Sequence, residues 1–277
     1  MSKLASYQGL RAFVTGASSG IGRLLALRLA ERGARVALVA RRGDALERLA
    51  AEIAAKRGEA LVLPCDVADA RAVEGAAASA VTTLGGVDLL VNNAGYGGHH
   101  RFLDWSLADI ENLMRVNYLG AVHCTKALLP QMVERGRGWI VFMSSIVGKI
   151  GMPDETAYSA TKFAMMGLAE GLGIEVEDAG IHVLAVCPGA VRTPFFRPAD
   201  LARMSPATHE AMIEPEAVVD ATLRALARGQ REVVVPRSYA ALSLVRAIAP
   251  GFLRRQVKRN TIDAVDRARK AGGPSPA

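Results

Sequence analysis

The feature that most constrains this chain is a glycine turn set between a strand and a helix. Residues 12–15 form a short apolar run, and Gly16-Ala17-Ser18-Ser19-Gly20-Ile21-Gly22 follows it at once. From 21 to 32, apolar residues recur at helical spacing until Gly33 ends the pattern. Glycines at such a turn let the backbone bend tightly and approach a pyrophosphate, whose charge faces the free N–H groups of the next helix. The alternation continues along the chain. Strand-like runs lie at 35–40, 60–63, 88–92, 139–144, 181–187 and 232–235, and helical patterns at 44–57, 69–84, 106–134, 155–178 and 215–228. The expected fold is α/β, one doubly wound domain over 1–237 with a seven-stranded parallel sheet flanked by helices. A basic, mostly helical extension is expected over 238–277, broken at Pro250-Gly251 and ending in a low-complexity stretch at 271–277. Gly167, Gly171 and Gly173, all inside one helical pattern, predict that another helix packs closely there.

Cysteine usage and charge exclude several function classes. Cys65, Cys124 and Cys187 are odd in number and lack metal-ligand spacing, so they read as buried thiols in a reducing compartment. No run approaches the roughly 18 apolar residues of a membrane span, and the first strand starts too early for a secretory leader, so a cytoplasmic protein is expected. The net charge of +7 is unevenly placed: from Arg224 onward twelve cations face three anions. No zinc-finger spacing, RNP-like aromatics or helix-turn-helix pattern accompanies this excess, which reads as a solvated face and not as a nucleic-acid site. The five histidines form no His-Glu-x-x-His or comparable cluster, so no metal is expected; His99-His100 lie in a loop that either rims the substrate pocket or, as the simpler reading, carries them incidentally.

Downstream of the turn stand Asn117, Ser145, Tyr158 and Lys162. Tyr158 and Lys162 are four apart on a predicted helix and share one face. A phenol beside an ammonium provides the parts for moving a proton, and the ammonium is expected to lower the phenol's pKa from its ordinary value of about 10.

The spacing of Gly16, Gly20 and Gly22 resembles the short-chain dehydrogenase/reductase family, whose turn reads T-G-x-x-x-G-x-G. Further family landmarks occur in order: Asp66-Val67, Asn92-Asn93-Ala94-Gly95, Asn117, Ser145, Tyr158-x-x-x-Lys162, Pro188-Gly189 and Thr193. The resemblance spans about 10–235 and implies a Rossmann-type fold, a nicotinamide cofactor and interconversion of a carbonyl and an alcohol. It implies that Tyr158 is the general acid or base, that Lys162 also binds the nicotinamide ribose, that Ser145 orients the carbonyl and that Asn117 holds a water linking Lys162 to solvent. It further implies cofactor contacts from Gly16, Ser18, Ser19, Gly20, Ile21 and Gly22. Asp66 would take the adenine amino group beside Val67, while Asn93, Ala94, Gly95, Pro188, Gly189, Val191 and Thr193 would line the site. Pairing as a homodimer or homotetramer is also implied.

After the second strand, where an acid would bind the ribose hydroxyls of NAD, the chain has Ala40-Arg41-Arg42. Arg41 and, less strongly, Arg42 are expected to take a 2′-phosphate with help from Ser18, which favours NADP(H). Ile146, Val147, Ile150, Met152, Phe195, Phe196, Leu201 and Met204 predict a largely apolar substrate pocket for a lipophilic ketone or alcohol. The long ending departs from the 3-oxoacyl reductases of the family and is more like its steroid, retinoid and lipid reductases. Alternatives are a 3-oxoacyl- or sugar-type reductase and a cofactor-binding regulator without turnover. The apolar, arginine-rich tail is read either as a lid or interface or as a peripheral membrane contact.

Overall fold

The computed structural model describes residues 3–263. The stretch 264–277, including the low-complexity ending expected at 271–277, lies outside the described residues. Seven strands, β1 (Arg11–Thr15), β2 (Arg35–Ala40), β3 (Glu59–Pro64), β4 (Leu89–Asn92), β5 (Gly138–Met143), β6 (Ile181–Pro188) and β7 (Glu232–Val235), form one parallel sheet in the order β3-β2-β1-β4-β5-β6-β7. The order reverses between β1 and β4. That switch point opens a crevice at the carboxyl ends of the strands, where the glycine turn lies.

Because strand side chains alternate, the sheet feeds two cores. Val14, Val36, Leu38 and Val141 pack on one face beneath α1 (Gly20–Ala30), α2 (Gly43–Ala55) and α9 (Pro215–Arg228). Phe13, Ala37, Val39 and Phe142 pack on the other beneath α3 (Ala70–Leu84), α5 (Gly120–Glu134) and α6 (Thr156–Glu175). Local chemistry sets the ends of these helices. The Asp69 carboxylate accepts from the Arg71 and Ala72 N–H groups at the start of α3, while Gly85 and Gly229 take the left-handed conformation that ends α3 and α9.

The helix expected over 106–134 is interrupted. It runs as α4 (Leu107–Met114), a five-residue π turn at Arg115–Leu119, and then α5. The widened turn contains Asn117, which is fully buried and bonded to neighbouring backbone instead of exposed on a regular helix. Two short helices missed from sequence, α7 (Pro198–Arg203) and α8 (Pro206–Glu210), roof the crevice. Each starts at a proline, which fits the first turn of a helix without losing a needed N–H. The helix packing predicted at Gly167 and Gly171 is not supplied by the described residues, since a Cβ at either position would meet nothing within 4 Å.

The extension folds back over the crevice as α10 (Ala240–Ile248) and α11 (Pro250–Asn260). Arg246 pins it to the body: its guanidinium donates to the Lys149 carbonyl and lies 5.1 Å from the centre of the Phe163 ring.

Candidate active site

The glycine turn is built around a bolt between β1 and β4. The Thr15 hydroxyl donates to the Val91 carbonyl at 3.1 Å and accepts from the Asn93 and Ala94 N–H groups at 2.9 and 3.0 Å. The Asn93 side-chain amide donates to the Thr15 carbonyl at 2.9 Å. This leaves no room for a side chain at Gly16 or Gly22. A Cβ at Gly22 would stand 2.3 Å from Asn93 Nδ2 and 2.5 Å from the Gly16 carbonyl oxygen, and Gly16 also has a φ of +67°. At the start of α1 the Ser19 side chain makes no capping bond and the first turn carries no acid, so backbone donors face the crevice. A backbone open to close approach and donors aimed at an anion fit the diphosphate of a dinucleotide.

Beyond β2, the Arg42 guanidinium donates to the Ser18 hydroxyl at 3.0 Å. Both Arg41 and Arg42 are exposed along the crevice, but Arg42 is the one held against the turn. Asp66 accepts from the Ala68 N–H at 3.0 Å, which fixes its carboxylate at the end of β3. Thr193 closes the opposite wall, lying 3.3 Å from where a Cβ on Gly20 would stand.

Ser145, Tyr158 and Lys162 line the other end of the same cavity, whose volume is about 970 Å³, and Asn117 lies buried behind that wall. The Lys162 ammonium donates to the Met143 carbonyl at 2.8 Å and lies 5.5 Å from the centre of the Tyr158 ring. Burial pushes Lys162 down to about 8. Asn117 clamps the backbone of one residue on both sides, accepting from the Tyr96 N–H at 3.0 Å and donating to the Tyr96 carbonyl at 2.8 Å. It also donates to the Thr161 hydroxyl at 3.1 Å, tying the π turn to α6. The Ser145 hydroxyl, at the end of β5, donates to the Pro188 carbonyl and accepts from the Val147 N–H, both at a long 3.3 Å.

The tuning of Tyr158 differs from the expectation that an adjacent ammonium lowers it. Burial raises the phenol's pKa, the negative charge of Glu155 raises it further, and the hydrogen bond with Ser145 opposes them. Lys162 does not offset this: its ammonium donates to the Met143 carbonyl and is itself desolvated. The geometry therefore holds Tyr158 as a neutral phenol, the form that can give up a proton.

These observations agree with the comparisons to known proteins. Residues 11–203 match the short chain dehydrogenase family. The chain belongs to this family. It is an NAD(P)-dependent oxidoreductase with the Rossmann-type fold of its relatives. Dehydrogenase/reductase SDR family member 7B of Bos taurus is 36% identical over 273 residues, covering 91% of this chain and 84% of that protein. The 3-ketodihydrosphingosine reductase of Bos taurus is 39% identical over 193 residues, covering 68% of this chain and 58% of that protein. A Burkholderia phymatum short-chain dehydrogenase/reductase in complex with NAD superposes with a TM-score of 0.80 at 25% identity, covering 90% of this chain and 96% of that one. A metagenomic short-chain oxidoreductase in complex with NADP gives 0.70 at 33% identity, covering 82% and 97%.

The short-chain dehydrogenase crevice is lined by every candidate cofactor, catalytic and pocket residue named from sequence except Asn117, Gly22 and Leu201, and the first two support it from behind. Phe195 and Phe196 serve as both roof and wall, with the Phe195 ring 5.6 Å from that of Tyr158. Of the two readings of His99, the structure favours the pocket rim over the incidental exposed loop: it is only 9% exposed, lines the cavity and lies 5.7 Å from the Phe196 ring. Glu155 was missed. Its position three residues before Tyr158 places it one turn earlier at the helix start, and that spacing is the signal by which it could have been found. Among the described residues no group of three His, Cys, Asp or Glu side chains could hold a metal, and no helix is long and apolar enough to cross a membrane.

Proposed function

We propose that the protein is an NADP(H)-dependent reductase of lipophilic ketones or aldehydes, or a dehydrogenase of the matching alcohols. One observation carries this reading: a single cavity joins the glycine turn and Arg41-Arg42 at one end to Ser145 and Tyr158 at the other, and its far wall is mainly apolar. Gly16, Gly20, Gly22, Asn93 and Thr193 would hold the dinucleotide, with Arg41, Arg42 and Ser18 on a 2′-phosphate. When bound, this cofactor donates or accepts the hydride. In reduction the neutral Tyr158 phenol gives its proton to the carbonyl oxygen and becomes a phenolate, and in oxidation that phenolate takes a proton from the alcohol. The Ser145 hydroxyl exchanges its long bond to Pro188 for one to the same oxygen. Lys162 keeps one N–H on Met143 and turns the others to ribose hydroxyls. Asn117 fixes the Tyr96 loop and holds the water that passes protons between Lys162 and solvent.

Ketones and aldehydes of graded chain length, followed by NADPH absorbance, test this reading. Turnover should rise with apolar chain length and favour NADPH over NADH. Turnover of 3-oxoacyl thioesters or sugars alone would support the alternative reductase reading, and cofactor binding with no turnover of any carbonyl would support a regulator.

The extension supports the lipophilic reading from two sides. Its inner face brings Tyr239, Leu242, Leu253 and Val257 to the cavity, as a lid over the catalytic unit 1–237. Its outer face leaves Leu244, Ile248 and Phe252 exposed at 62%, 74% and 50%, beside Arg254, Arg255, Lys258 and Arg259. Apolar side chains flanked by cations suit the surface of an anionic membrane, from which a lipophilic substrate enters under the lid. Co-sedimentation with anionic vesicles should fall in Ile248→Ser/Phe252→Ser, and equal, negligible sedimentation of both proteins would leave the tail as a lid alone. The open Gly167 and Gly171 positions on α6 are where a second copy would pack in a cytoplasmic homodimer or homotetramer. Light scattering giving a single mass near 29.3 kDa contradicts that assembly.

A further inference from the structure

The wall of the cavity beside Tyr158 is not uniformly apolar. Glu155 and His99 both line it, with His99 Nε2 3.4 Å from Glu155 Oε1. The two side chains are 15% and 11% exposed, so each is largely withdrawn from water while still facing the cavity. His99 Nε2 is buried without a hydrogen-bond partner.

The neighbours of this pair are already occupied. Asp200 accepts from the Arg197 guanidinium at 3.0 Å and from the His99 N–H at 3.1 Å. Asp154 pairs with Arg101 at 2.9 Å. Arg203 donates to the His99 carbonyl at 3.0 Å and to His100 Nδ1 at 2.8 Å. These bonds fix the loop that carries His99. Of the three acids, Glu155 is the one whose ion-pair neighbour is a histidine instead of an arginine, and burial favours the neutral form of that histidine. A wholly apolar ligand pressed on this wall would strip water from a carboxyl and an imidazole and return no hydrogen bond, which is costly for polar groups.

We propose that Glu155 and His99 form a second recognition point in the substrate site, and that the carbonyl substrate carries a hydroxyl or amino group next to its carbonyl that donates a hydrogen bond to Glu155. The inference rests on the reductase reading given above and narrows its substrate class. A donor is selected over an acceptor because Asp154 and Asp200 surround the pair with negative charge. They act with burial to push Glu155 up to about 7, and a donor from the ligand would offset that cost. The alkyl remainder would then lie along Phe195, Phe196 and the tail.

The test uses NADPH and three ketones of equal chain length: unsubstituted, with a hydroxyl on the carbon next to the carbonyl, and with an amino group there. At pH 8, where Glu155 is ionised, the wild-type kcat/KM should favour the donor-bearing ketones by about ten- to a hundredfold, the range set by a hydrogen bond to a charged group. In Glu155→Met, which keeps the volume and removes the acceptor, that ratio should fall to within about threefold, and His99→Phe should lower it in part. A preference for only one donor type supports the proposal and identifies the class. A wild-type ratio near one overturns it whether or not the variants fold, and so does a ratio that persists in Glu155→Met. Turnover of the plain ketone with no donor preference leaves the reductase reading intact, whereas no turnover of any of the three defeats both.

Discussion

Lys162 Nζ lies 5.5 Å from the centre of the Tyr158 ring and donates its hydrogen bond to the Met143 carbonyl at 2.8 Å, not to the phenol. The pair thus divides its duties. Tyr158 is kept neutral by burial and by Glu155, while Lys162 is anchored to the end of β5 with N–H groups left for a ligand.

That anchoring gives a pH dependence. Burial sets Lys162 at about 8, so the free protein loses this ammonium as pH rises through 8, below the ordinary lysine range. The Kd for NADPH, measured by fluorescence titration, should rise between pH 7 and 9 in the wild type and stay level in Lys162→Met. Equal slopes in the two proteins would assign the titration to another group.

Glu155 gives a stability prediction of the opposite kind. Its folded pKa is raised, to about 7, so its contribution to stability is complete below the unfolded value near 4.5 and is lost as pH rises through 7. Glu155→Gln, which mimics the neutral acid, should gain stability over the wild type between pH 5 and 8, by on the order of 3 kcal/mol at most. Urea denaturation of both proteins at the two pH values measures this, and a constant difference would show that Glu155 does not titrate in that window.

Two glycines should respond oppositely to alanine. At Gly22 a Cβ would collide with Asn93 Nδ2 and the Gly16 carbonyl, so Gly22→Ala should destabilise the fold and weaken cofactor binding. Gly75 lies in α3 with nothing within 4 Å, so Gly75→Ala should stabilise by about 0.5–1 kcal/mol. Thermal melts and NADPH titration check both. A Gly22→Ala protein that binds NADPH normally would contradict the close approach at the turn.

The strands were legible in the sequence because buried parallel strands are apolar runs bounded by turn residues. The 35–40 and 232–235 runs match β2 and β7 in full. The π turn at Asn117 was not legible, because helical periodicity carries no sign of a side chain that will bond to a loop from another part of the chain. The pairing of Glu155 with His99 was not legible for a related reason. Each is unremarkable in its own segment, and the fold brings 99 beside 155. The four candidate residues could be singled out because the spacing of Tyr158 and Lys162 and the glycine turn are local features, whereas the tail's role depends on which of its two faces the body covers.

Cofactor choice is tested at the turn. Arg42→Ala removes the guanidinium held on Ser18 and should lower the NADPH-to-NADH ratio of kcat/KM by about tenfold, while Arg41→Asp should erase or reverse it, since a carboxylate repels a 2′-phosphate and accepts ribose hydroxyls. A wild type that uses both cofactors equally well would contradict the arginine reading.

The central claim is that the Tyr158 hydroxyl is the proton donor and acceptor of a carbonyl reductase. Tyr158→Phe deletes that hydroxyl and little volume, and its kcat with NADPH and a ketone turned over by the wild type is the most direct measurement, read beside NADPH affinity by fluorescence. The account predicts NADPH binding within about threefold of wild type and a kcat at least about 10² lower, the loss expected for a general acid–base group. A variant that binds NADPH normally and turns over at a near-normal rate would contradict it.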